Sequence, residues 1–314
     1  MVSEDDEGKY LRLEVTATDA YPTPLSTTVY SEFQAGMKIR AVEGDYSGDG
    51  RTDLWFFDAF PGVWRIAYAE GGYAELQFGW WETEAVPGDY DGNGVLDYAV
   101  YYPDDGMWYV LFMPSGTLAT LQFGWWDTEP ISADYDGDGT TDIAVYWPTG
   151  GIWFILKSST WSLEYTQFGW LDTEPVPGDY DGDGATDMAL YYQGTWTIQT
   201  AAGDYWTQEF GGSDALPAQG DYDGDGIMDL GVYWYAENRW EMLLSSTGEI
   251  REESFGTSNG AGIPAQGYYD HDRECDPATV HVSGNFLVWG VLRSTDGYRG
   301  QSYQTDSDTW RVAW

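Results

Sequence analysis

The feature that most limits how this chain can fold is a short acidic segment that returns at nearly constant spacing. A run of the form Asp-Tyr-(Asp/Ser)-Gly-(Asp/Asn)-Gly-x-x-Asp starts at Asp45, Asp89, Asp134, Asp179 and Asp221, with a degenerate copy at Tyr268, in steps of 44, 45, 45, 42 and 47 residues. A period in the forties is the length of a four-stranded propeller blade, a unit that cannot bury its apolar faces alone and must stack on its neighbours. In the third copy the acidic segment is followed by an apolar run at 143–147, a turn at 148–151, a second run at 153–157, a turn at Ser158-Ser159 and a third run at 163–168. Runs of β-branched and aromatic residues bounded by Gly, Pro and Ser predict short strands. The expected fold is all-β, one propeller domain over 1–314 built of four-stranded blades.

The complete repeats occupy about 40–305, and the flanks bear on how the ring closes. Residues 27–33 align with the fourth strand of a blade, 9–15 with an earlier one, and 309–314 fall where the next first strand belongs. If 9–33 and 309–314 share one blade, the ring has seven blades, latched by terminal strands that cover each other's edges. That is the leading expectation. Six blades with peripheral strands is the alternative.

Numbered from its first residue, the third acidic segment offers Asp134, Asp136, Asp138 and Asp142 at positions 1, 3, 5 and 9, with Thr140 at position 7 able to give its backbone carbonyl. Hard oxygen donors on alternate residues suit Ca²⁺, which takes about 6–8 oxygens, and the glycines between them permit the tight turn. The bidentate Glu that closes an EF-hand loop at position 12 is missing, since Val145 stands there, so this is an Asp-rich β-hairpin loop of a different kind. Two further copies are complete: Asp179, Asp181, Asp183, Ala185 and Asp187, then Asp221, Asp223, Asp225, Ile227 and Asp229. The second copy (Asp89, Asp91, Asn93, Val95, Asp97) and the first (Asp45, Ser47, Asp49, Arg51, Asp53) each replace one carboxylate by a neutral oxygen donor. The sixth has Tyr268 at position 1 and His271 and Arg273 in place of the glycines, and is expected to be metal-free. About five structural Ca²⁺ ions are therefore expected.

A second motif joins the blades. Phe78-Gly79 is followed by Trp80, Trp81 and Glu84, Phe123-Gly124 by Trp125, Trp126 and Glu129, and Phe168-Gly169 by Trp170, Leu171 and Glu174; only Phe-Gly persists at 210–211 and 255–256. The constant pair reads as structural. The variable tails, with Trp80, Trp81, Glu84, Trp125, Trp126, Glu129, Trp170 and Glu174, are the candidate ligand-binding residues, a flat ring being a platform for a sugar and a carboxylate an acceptor for its hydroxyls.

Charge narrows the partners. With 13 Lys+Arg against 53 Asp+Glu, the net charge of −40 repels phosphate backbones, so nucleic acid is excluded as a partner. No apolar run approaches the ~18 residues of a membrane span, so no membrane insertion is expected. The first seven residues carry neither the basic nor the apolar region of a signal peptide, so secretion would rest on a signal outside this sequence. Two histidines, His271 and His281, a single cysteine, Cys275, and no nucleophile motif argue against an enzyme. The paired acids Glu82/Glu84, Asp127/Glu129 and Asp172/Glu174 could flank a glycosidic bond, yet they obey the repeat that an active site would break.

These acidic loops, Phe-Gly pairs and blade-length period resemble the FG-GAP/VCBS repeat family, similar to the calcium-binding blades of integrin α-subunit propellers, fungal propeller lectins and secreted bacterial repeat proteins. The resemblance covers about 27–314. It implies an extracellular or cell-surface, mostly non-enzymatic protein, with the calcium loops on one face and the recognition loops on the other. It also implies a glycan, an extracellular protein or further copies of the same chain as partner, the last as a self-assembling structural element.

Overall fold

The computed structural model describes residues 44–58, 62–256, 262–283, 286–295, 297–304 and 312–313, and no helix occurs among them. The strands form six small antiparallel sheets in chain order. Sheet one holds β1 (Leu54–Asp58), β2 (Val63–Ala67) and β3 (Tyr73–Gln77). Sheet two holds β4 (Glu84–Ala85), β5 (Tyr98–Tyr102), β6 (Met107–Phe112) and β7 (Thr117–Gln122). Sheet three holds β8 (Glu129–Pro130), β9 (Ile143–Trp147), β10 (Ile152–Leu156) and β11 (Leu163–Gln167). Sheet four runs through β12 (Glu174–Pro175), β13 (Met188–Tyr192), β14 (Thr195–Gln199) and β15 (Tyr205–Glu209). Sheet five has β16 (Leu216–Pro217), β17 (Leu230–Trp234), β18 (Arg239–Leu243) and β19 (Ile250–Ser254). Sheet six has β20 (Ile263–Pro264), β21 (Ala278–Ser283), β22 (Phe286–Arg293), β23 (Gly297–Gln304) and β24 (Val312–Ala313). The chain is a six-bladed β-propeller.

Burial explains the strand composition. The second strand of each blade lies between two neighbouring sheets, and in β5 Tyr98, Ala99, Val100 and Tyr101 are all buried, so it reads as a continuous apolar run and not as an alternation. The fourth strand is the outer rim: β7, β11, β15 and β19 are mostly exposed, with one or two half-buried residues each. The two-residue first strands lie at the opposite edge of each sheet, towards the axis, where β16 and β20 of adjacent blades approach one another.

Blades one to five are each pinned by one tryptophan. Trp64, Trp108, Trp153, Trp196 and Trp240 on the third strands are fully buried, and each indole N–H donates to the carbonyl of the Phe in the next Phe-Gly pair, at 2.8, 2.7, 2.7, 2.9 and 3.1 Å. Burying a Trp removes about 150–250 Å² from water, worth about 4–6 kcal/mol per blade. The glycine of the pair is required by geometry: Gly124 has φ +126°, and a Cβ there would stand 2.5 Å from the Tyr101 hydroxyl. Phe-Gly is therefore structural, as its constancy implied.

The blades are joined by one repeated backbone bond. The amide at position 8 of an acidic loop donates to the carbonyl at position 1 of the preceding loop: Thr141 to Asp89, Thr186 to Asp134, Met228 to Asp179 and Cys275 to Asp221, at 2.6–2.8 Å. The same bond closes the ring, because the Thr52 amide donates to the Tyr268 carbonyl at 2.6 Å, and the Thr52 hydroxyl accepts from the Tyr268 amide at 2.8 Å. Behind it Leu54 and Phe56 of blade one pack on Ala278, Val280 and Trp289 of blade six. Contact of this kind leaves no gap for a seventh blade, so the count is six and the leading expectation of seven gives way to its alternative. Residues 9–33, expected to share a closing blade, lie outside the described residues. At the other end, β24 adds to the outer edge of β23, pairing Ser302 with Ala313 and Tyr303 with Val312.

Candidate metal centres and recognition loops

Antiparallel pairing decides which loops share a face. The acidic loops and the turns after the third strands lie at one end of the sheets; the turns after the second strands and the interblade connections lie at the other. The two motifs of the sequence thus occupy opposite faces.

The acidic loop is organised around its first residue. In loop three, Gly137 and Gly139 adopt φ +71° and +86°, which turns successive amides inward, and the Asp134 carboxylate accepts from Gly137, Asp138 and Gly139 at 2.8, 3.1 and 2.8 Å. Asp138 accepts from the Thr140 amide at 2.8 Å. Position 9 is a brace. Asp142 is fully buried, with one oxygen on the Tyr135 amide at 2.9 Å and the other on the Ser158 amide at 2.6 Å, tying the loop to the turn after the third strand. Asp53, Asp97, Asp187, Asp229 and Asp276 are bound in the same way. Burial, only partly offset by these amides, pushes Asp53, Asp97, Asp187 and Asp229 up to about 6 and Asp276 to about 7, and raises Asp142 as well. Sequence reasoning assigned position 9 to the metal and missed this second job; its signal was the invariance of that Asp where positions 1, 3 and 5 vary.

Four loops bring three carboxylates together with one oxygen of each within 4.8 Å of the others: Asp89, Asp91 and Asp97; Asp134, Asp136 and Asp142; Asp179, Asp181 and Asp187; Asp221, Asp223 and Asp225. Such crowding is repulsive without a cation. Two oxygens sharpen the point. Asp136 Oδ1 and Asp223 Oδ1 are buried with no hydrogen-bond donor, while their companion oxygens accept from Ser159 and Ser246 at 2.5 Å. An all-oxygen set with orphaned anionic atoms fits a hard divalent cation such as Ca²⁺.

Loops one and six differ. In loop one the Arg51 guanidinium pairs with Asp49 through Nε, at 3.0 Å, and through Nη2. In loop six, as in loops three and five, carboxylates accept hydroxyls from the turn after the third strand, Asp270 from Thr295 at 2.6 Å and Asp272 from Ser294, but here the second oxygen of each also has a donor, the amides of Asp272 and Glu274 at 3.1 and 3.0 Å. Hydrogen bonds from Thr295 and the Asp272 amide outweigh burial and hold the Asp270 carboxyl below its ordinary value.

On the opposite face a threonine shapes each Trp loop. Thr83 accepts from the Trp80 amide and donates to its carbonyl, at 3.1 and 2.8 Å, and Thr128 and Thr173 repeat the arrangement. The hydroxyls of Tyr101 and Tyr146 lock Thr128 and Thr173 from within the blade, each at 2.7 Å. The candidate ligand residues then separate. Trp80 is half-buried against Tyr102 and Tyr109, and Trp125 against Trp147 and Phe154. Trp81, Trp126 and Trp170 remain 43, 63 and 48% exposed. Glu84, Glu129 and Glu174 are half-buried on the axial strands β4, β8 and β12, opposite Tyr101, Tyr146 and Tyr191. The acids bonded into the Trp clusters are others: Glu82 accepts from Tyr102 at 3.3 Å, and Asp127 from the Trp147 indole at 3.0 Å and from Thr149 at 2.8 Å.

No family model matches the chain, and no curated protein sequence matches it. Solved structures do. A streptogramin B lyase superposes with a TM-score of 0.54 at 15% identity, covering 86% of each chain. An Agrocybe aegerita lectin, described for its specific recognition of non-reducing terminal N-acetylglucosamine, gives 0.53 at 14% identity over 79% of this chain and 74% of its own. TolB from Acinetobacter baumannii gives 0.56 at 14% identity over 91% of this chain and 69% of its own. At these identities the likeness shows the propeller fold. It also overturns one expectation: a chain with this architecture cannot be set down as a non-enzyme, because one of its structural neighbours is a lyase, and the chemistry of a propeller resides in its loops and not in its ring.

Proposed function

We propose that this chain is a calcium-stabilised propeller of the FG-GAP/VCBS type that works outside the cell and recognises glycans through its Trp loops. The observation that carries the reading is the exposure of Trp81, Trp126 and Trp170 on loops held rigid by threonine, with Glu82 and Asp127 bonded into the neighbouring clusters of Trp80 and Trp125 in two of those loops. A pre-ordered exposed ring offers a stacking face at little entropic cost, and neighbouring acids can take sugar hydroxyls. Exposed rings on three successive interblade loops, Trp81 and Trp126 at one loop position and Trp170 at the position before it, suit a ligand with repeating units, since linked contacts gain avidity. A lectin with a similar ring lends support. The extracellular assignment rests on the resemblance of the Asp-rich loops to calcium-binding blades of extracellular propellers.

A glycan array with the intact protein, with and without chelator, tests this: polysaccharide-derived ligands should be retained, and Trp126→Ala should lose them with an unchanged melting temperature. An array empty for the calcium-loaded protein would end the glycan reading. A second reading, self-assembly, is favoured by the apolar side chains on the outer strands, with Leu118, Leu163, Tyr165, Tyr205 and Ile250 all more than half exposed. Ordered arrays in negative-stain micrographs would support it.

A further inference from the structure

Resting on the calcium reading above, we infer that the ring is metal-dependent in only four of its blades, and that the seam where blade one meets blade six is closed by the protein's own groups, with the Arg51 guanidinium taking up the position 5 carboxylate of loop one. Position 7 is Val95, Thr140, Ala185 and Ile227 in the four loops whose carboxylates cluster. In loop one it is Arg51, whose side chain is only 12% exposed. Its Nε and Nη2 bind Asp49, and Nη1 donates to the Ala69 carbonyl at 3.3 Å, so the head group is fixed over the loop. Glu70 lies 3.9 Å away as a second anionic neighbour. A guanidinium so placed supplies positive charge and directed donors to the position 5 carboxylate. A divalent ion there would have to displace it and meet its charge.

Loop six, across the seam, has both oxygens of its position 3 and position 5 carboxylates taken by hydrogen-bond donors, whereas Asp136 Oδ1 and Asp223 Oδ1 of loops three and five have none. Asp270 Oδ2 accepts the Thr295 hydroxyl and amide and the Ser294 hydroxyl, and Asp272 accepts the Ser294 hydroxyl, so these oxygens are occupied by hydroxyl and amide protons. The two loops that lack a clustered carboxylate set are thus the two that meet through Thr52 and Tyr268. Withdrawing metal should loosen blades two to five and leave the closure standing.

Counting bound calcium by atomic spectroscopy after gel filtration tests the inference on the full chain. The wild type should carry four ions, Asp225→Ala three, and Asp49→Ala four. Arg51→Thr, which copies loop three, should carry five. Five ions on the wild type, a loss on Asp49→Ala, or four on a folded Arg51→Thr would overturn the proposal; should Arg51→Thr fail to fold, Asp49→Ala decides. Absence of calcium from every variant would instead sink the calcium reading itself, and this inference with it. Hydrogen exchange supplies a second readout: in EDTA the amides of Thr141, Thr186 and Met228 should exchange about tenfold faster or more, whereas that of Thr52 should keep its rate. Equal acceleration at Thr52 would show that the seam depends on metal.

Discussion

At the scale of single residues, the position 9 aspartates carry the clearest pH signature. Asp97, Asp187 and Asp229 titrate near 6 in the folded chain and Asp276 near 7, against about 3.9 for an unfolded Asp. A folded value above the unfolded one means that the fold binds the proton more tightly. The resulting stabilisation is complete below about pH 4 and is lost as pH rises through 6 to 7. In EDTA the melting temperature should therefore rise between pH 7.5 and pH 5.5, helped by falling charge repulsion. In excess calcium Asp97 and Asp187, each part of a clustered set, must be ionised to hold the metal, so the melting temperature should fall over that interval. Calorimetry in the two buffers checks both, and parallel slopes would show that these aspartates do not hold the ion. The blade tryptophans set the other residue-scale expectation: Trp153→Ala should cost about 3–5 kcal/mol in denaturant unfolding, as expected for a large side chain with no exposed surface.

At the scale of elements, the acidic loop is a small device with separable parts. Asp138→Ala should remove one bound ion and lower the melting temperature, while Tyr268→Ala, whose side chain heads a loop already satisfied by hydroxyls, should leave the calcium count unchanged. Much of this device was legible in the sequence, because each part recurs at blade spacing and has a chemical reason to recur. The reading of 143–147 as a strand matches β9, and the runs at 153–157 and 163–168 match β10 and β11 within a residue. The two-residue first strands were not legible, since Glu-Pro and Leu-Pro carry no strand pattern and are placed by packing at the axis. Nor was the separation of Trp80 and Trp125 from Trp81 and Trp126. Adjacent identical letters have no periodicity to tell them apart, and only the aromatic at the end of the next blade's second strand decides which ring it covers. The role of Arg51 escaped for a related reason: at position 7 only a backbone carbonyl was considered, so the side chain was left out of the account.

At the scale of the whole molecule, closure rests on the backbone bond found between blades inside the ring, with a hydrogen bond to the Thr52 hydroxyl added to it. Thr52→Val would keep the shape and leave the half-buried Tyr268 amide without its hydroxyl acceptor, which should cost about 1 kcal/mol; an unchanged unfolding midpoint would show that the seam is held by blade packing alone. The rim has a different consequence. Among the described residues the fourth strands of blades two to five end in an unpaired backbone edge, with side chains such as Leu163, Tyr165 and Tyr205 turned to water, a combination that invites edge-to-edge association. What separates two such discs in solution is their shared negative charge, and that charge vanishes near the sequence isoelectric point of about 4.1. Colloidal stability and conformational stability should thus move in opposite directions on acidification: in EDTA the ring becomes harder to melt just as suspensions of it become easier to flocculate, and turbidity should climb towards pH 4 while circular dichroism still reports intact sheets.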